Sequence, residues 1–72
     1  MIPHPTCQRT FSVIEYLYNK GEDTSTDALV KILPYREKDT LAYIVQLVRD
    51  GCIDINNHHR WYPKERPGEV DD

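Results

Sequence analysis

Apolar positions recur along the chain in three stretches of helical period, followed by one stretch of a different kind. The first runs from about Cys7 to Lys20. Cys7, Phe11, Ile14, Leu17 and Tyr18 fall at i, i+4, i+7, i+10 and i+11, one face of a helix. Thr6 precedes it as a candidate N-cap, because its hydroxyl can accept a free backbone N–H. Lys20-Gly21 reads as its end, a cation near the negative end of the helix dipole and then a residue that tolerates the left-handed conformation. Glu22-Asp23 is a polar connector. A second, shorter helix starts near Thr24 or Ser25, has Asp27 in its first turn, and carries Ala28, Leu29, Ile32 and Leu33 on its apolar side until Pro34 stops it. The third runs from about Arg36 to Asp50, with Leu41, Ile44, Leu47 and Val48 at helical spacing, Val45 at the edge, and Gly51 as its stop.

Beyond Gly51 the period changes. Cys52-Ile53-Asp54-Ile55 and Arg60-Trp61-Tyr62 are short β-forming runs on either side of Asn56-Asn57-His58-His59, where Asn suits a turn because it tolerates positive φ. Pro63 closes the second run. This is a hairpin pattern, with Ile53, Ile55 and Trp61 expected inward. Three helices with short links must pack together to bury their stripes, and a hairpin leaving the third helix lies against the same core. The expected fold class is mainly α with a small β-hairpin. The expected organisation is an extended N-terminal segment over 1–6, one domain over 7–63, and a disordered acidic tail over 64–72.

The residues Ala28-Leu29-Val30-Lys31-Ile32-Leu33, the Pro34-Tyr35 turn, and the run from Leu41 through Asp50-Gly51-Cys52-Ile53 resemble the winged-helix superfamily of helix-turn-helix domains. The resemblance covers about residues 7–63. It implies a three-helix winged helix-turn-helix domain whose third helix enters the DNA major groove and whose hairpin, the wing, follows the backbone. The chain departs from the pattern in Pro34, where many members have Gly or a polar residue.

Charge complicates that expectation. The net charge is −3, whereas a nucleic-acid binder is usually basic. Residues 1–66 hold nine basic and nine acidic side chains, so the whole excess lies in Glu69, Asp71 and Asp72. A wheel at about 100° per residue, drawn with all the apolar residues of the third helix inward, turns Asp39, Gln46, Tyr43 and Asp50 outward, flanked by Ala42 and Arg36, with Lys38, Thr40 and Arg49 at the margins. Gln46 can read adenine, and Arg36 or Lys38 can reach phosphate or guanine, but Asp39 and Asp50 repel phosphate. The hairpin tip and exit, His58, His59, Arg60, Lys64 and Arg66, form the most basic stretch.

Two functions follow as expectations. The first is a small DNA-binding regulator of transcription, with Arg36, Lys38, Thr40, Tyr43 and Gln46 toward double-stranded DNA bases and His59, Arg60 and Lys64 toward the backbone, acting as a homodimer or with a protein partner. The second is a protein-interaction module without nucleic acid, centred on an outward Tyr43. No catalytic motif, Gly-rich phosphate loop or metal-ligand spacing is visible, so neither an enzyme nor a cofactor is expected. Cys7 and Cys52 occupy apolar positions and read as buried free thiols. With no apolar run of about 18 residues and no signal-peptide pattern, no membrane contact and a cytoplasmic location are expected.

Overall fold

A computed structural model of the chain describes residues 5–64. It contains α1 (Pro5–Asn19), α2 (Thr26–Ile32), α3 (Glu37–Arg49), β1 (Ile53–Ile55) and β2 (Trp61–Pro63). The strands pair antiparallel, with Ile53 opposite Pro63, Asp54 opposite Tyr62 and Ile55 opposite Trp61. The layout is winged-helix-like and mainly helical: three helices, then a hairpin that packs against α1. Residues 1–4 and 65–72, where the N-terminal lead-in and most of the acidic tail were expected, lie outside the described residues.

The helix boundaries have local causes. Pro5 and Thr6, expected in the extended lead-in, are instead the first residues of α1. Proline suits a first helical position, since its φ is already near the helical value and its missing N–H would have had no partner. Thr6 is therefore not an N-cap. Its carbonyl accepts the hydroxyl of the buried Thr10 at 2.9 Å. Both long helices end alike. The N–H of Glu22 donates to Leu17 and that of Gly21 to Tyr18, and the N–H of Cys52 donates to Leu47 and that of Gly51 to Val48. Gly21 and Gly51 sit at φ +77° and +76°, which this double closure requires. α2 starts at Ser25, whose hydroxyl accepts the N–H of Ala28 at 3.3 Å. It ends at Leu33, held extended by the following Pro34.

The core joins the three helices and the first strand: Cys7 and Ile14 from α1, Leu29 and Leu33 from α2 and its cap, Ile44 and Leu47 from α3, and Cys52 and Ile53 at the hairpin's start. Phe11, Val13, Leu17, Tyr35, Tyr43 and Trp61 pack around it. Both cysteines are buried and free. Burial, with Asp50 and Cys52 adding to it, pushes the Cys7 thiol up and lowers its thiolate content at neutral pH. No helix of the described residues is long and apolar enough to cross a membrane.

Several expected core positions are exposed. Ile32 faces solvent, Ile55 points outward, and Tyr18 is exposed while its ring meets that of Tyr62 at 5.9 Å. On α3 the buried residues are Thr40, Ile44 and Leu47, whereas Leu41, Val45 and Val48 are 38%, 54% and 40% exposed. The helix is turned by roughly 75° from the wheel that places every apolar residue inside. α3 carries two apolar stripes, and the described residues cover one of them.

Candidate functional site

The rotation of α3 redraws its outer surface. Lys38, Ala42, Val45 and Arg49 form the exposed ridge, at i, i+4, i+7 and i+11. Lys38 and Arg49, expected at the margins, stand at its two ends. Thr40, expected at the DNA, is fully buried, and its hydroxyl has no hydrogen-bond partner among the described residues. Tyr43, expected as the outward centre, is half-buried against the core, edge-on to Tyr35 with ring centroids 5.3 Å apart. Gln46 is exposed and donates its amide to Asp50 at 3.1 Å. Arg36 is the exposed N-cap residue and makes no side-chain cap bond.

Beside that ridge lies a groove of about 460 Å³. Leu41, Ile44, Val45, Val48 and Arg49 of α3 line one side, and Thr26 of α2 and Trp61 of β2 line the other. Trp61 is fixed there by three polar ties. Its indole N–H donates to the Thr26 hydroxyl at 2.9 Å, its backbone N–H donates to the Thr24 carbonyl at 3.2 Å, and its carbonyl accepts the Thr24 hydroxyl at 2.7 Å. Thr24 is fully buried. It reads from sequence as a possible cap, but Ser25 takes that role, which frees Thr24 to bind the hairpin.

The wing is built on Asn56. Its side-chain oxygen accepts the N–H groups of His58 and Arg60 at 2.9 and 3.0 Å. The positive φ in this turn falls on His59, at 61°, rather than on an Asn. His58 and His59 are exposed. Arg60 is already engaged. Its Nε pairs with Asp23 at 3.0 Å, and its Nη1 donates to the His58 carbonyl at 2.9 Å. Asp23 also accepts the N–H of Ser25 at 2.8 Å. That backbone bond, together with the Ser25 side chain and Arg60, holds the Asp23 carboxyl below its ordinary value. Lys64 is exposed, and its backbone N–H donates to Cys52 at 2.9 Å, so the chain is still tied to the domain there.

A second, more polar cleft of about 370 Å³ lies between the end of α1 and the wing, lined by Tyr18, Gly21, Glu22, Thr24, Asn56, His58 and Arg60. Among the described residues, no group of three His, Cys, Asp or Glu side chains could hold a metal ion. The expected DNA residues are thus divided between the outer face of α3, the wing and the core. No sequence signal marked Leu41, Val45, Val48 and Trp61 as a shared surface, because each is of a type normally assigned to the interior. Comparisons with known families, curated proteins and solved structures each return no match.

Proposed function

We propose that this domain is a protein-docking module whose α3 groove receives an apolar segment of another protein. The observation that carries this reading is the contiguous exposed set Leu41, Val45 and Val48 facing the anchored Trp61. Concave apolar surface with few polar groups is what a docking helix fills. The charges around α3 support the same reading: Glu37, Asp39 and Asp50 offset Arg36, Lys38 and Arg49. Trp61 is the only tryptophan of the chain, so its emission reports the groove directly. A leucine-striped amphipathic peptide is expected to shift that emission. Val45→Asp is expected to abolish the shift while leaving the far-ultraviolet circular dichroism intact. An unchanged emission with the wild-type protein overturns the reading.

A second reading, a small DNA-binding regulator, draws on the exposed cations at the two ends of the outer ridge, Lys38 and Arg49, and on the exposed wing residues His59 and Lys64. Arg60 would have to leave Asp23 to serve phosphate. Binding to random duplex DNA, followed by fluorescence anisotropy, would then weaken steeply with salt. Arg60→Ala would weaken it for every sequence alike. No binding at low salt removes this reading.

A further inference from the structure

The chemistry of the groove's rim narrows what can fill it, given the docking reading above. Lys38 and Arg49 are exposed and make no ion pair among the described residues. They lie on the same flank of the apolar strip, at opposite ends of α3 and about 16 Å apart along its axis. Glu37 lies near the N-terminal end of the strip, in the first turn of α3, where the helix dipole favours it. The outer flank therefore carries a cation at each end. The α3 wall also offers side chains only, since its backbone groups are bonded within the helix. An added strand has nothing to pair with on that wall, whereas a helix can lay an aliphatic stripe against it.

Two nearer occupants fit less well. A second copy packed with α3 antiparallel to α3 brings Lys38 of one against Arg49 of the other. Like charges juxtaposed at an interface select against that pairing. The segment 65–72 has suitable acids but a single large apolar side chain, Val70, for a strip built of three aliphatic residues and a tryptophan.

We infer that the groove takes an acidic amphipathic helix, with aliphatic side chains at i, i+4 and i+7 against Leu41, Val45 and Val48 and carboxylates along one flank toward Lys38 and Arg49. The test uses the full chain and two tryptophan-free peptides about four turns long, identical in their leucine stripe and flanked by Glu in one and by Lys in the other. Each is titrated against Trp61 emission at low salt. The Glu peptide is expected to bind about tenfold more tightly, the size that two exposed ion pairs gained instead of two repulsions would give. Added salt is expected to shrink that margin, and the double variant Lys38→Gln/Arg49→Gln to remove it. Equal binding, or tighter binding of the Lys peptide, overturns the acidic assignment and leaves the groove as a docking surface. If neither peptide binds, the docking reading falls and this inference with it. A concentration-dependent dimer in sedimentation, broken by Val45→Asp, identifies a second copy as the occupant and overturns the assignment. So does a shift of Trp61 emission caused by Val70→Ser in the protein alone, which identifies the segment 65–72.

Discussion

Trp61 stands between two regions built on opposite terms. On one side, Thr24 and Thr26 answer its indole N–H, backbone N–H and carbonyl with three hydrogen bonds, the shortest 2.7 Å. On the other, its ring faces Leu41, Val45 and Val48, which are exposed among the described residues. Hydrogen bonds are directional and costly to leave unmade, so the polar side sets where the ring must be. Apolar contact is non-directional, so the open side can accept occupants of differing shape. A fixed wall beside an adaptable one suits a binding surface, because little ordering is needed when a partner arrives.

The largest effect is expected on the polar side of Trp61. Thr24→Val keeps the side-chain shape but leaves the Trp61 carbonyl without its hydroxyl donor in a part-buried setting. The expected cost is about 1–3 kcal/mol, read as a lower melting temperature together with a changed Trp61 emission. Thr40→Val tests the opposite case, a fully buried hydroxyl with no partner among the described residues. It is expected to stabilise the fold by about 1 kcal/mol, which for a domain of this size raises the melting point by roughly 4–8 °C. Val45→Asp, on the open side, should change stability by no more than about 0.5 kcal/mol. A larger loss in thermal denaturation would mean that the strip belongs to the core after all.

The smallest effect is expected at the wing. Arg60 and Asp23 are 42% and 55% exposed, so Arg60→Ala should leave the melting temperature nearly unchanged and reduce its salt dependence. The Asp23 carboxyl has a folded-state pKa below the unfolded one, chiefly through the Ser25 backbone bond. Its contribution is thus present above the unfolded value, about pH 4, and is lost as the pH falls through the folded value. Asp23→Asn should flatten that acid limb in a pH series of melting temperatures.

The helices and the hairpin were legible because their signals are local. Ser25 at a cap, Gly21 and Gly51 at positive φ, and Pro34 after α2 each act within a turn of where they stand. The orientation of α3 was not legible. Its sequence holds enough apolar residues for two faces, and only the volume available between α1 and α2 decides that Thr40 goes in while Leu41 stays out. The same gap hid the groove, and it placed Tyr43 outside when Tyr35 in fact draws it toward the core. Thr24 was misread for a related reason, since its partner, Trp61, lies 37 residues away.

The Thr24 tie also changes what kind of strand β2 is. A free two-stranded hairpin has two open margins, each able to recruit a strand from another molecule. Here β2 has β1 on one side and Thr24 on the other, with both backbone groups of Trp61 already engaged there. The margin left to β1 is three residues long and carries Asp54, a short and charged edge that resists chain-to-chain pairing. The domain can therefore leave an apolar groove open along its helix while its hairpin offers little template for aggregation.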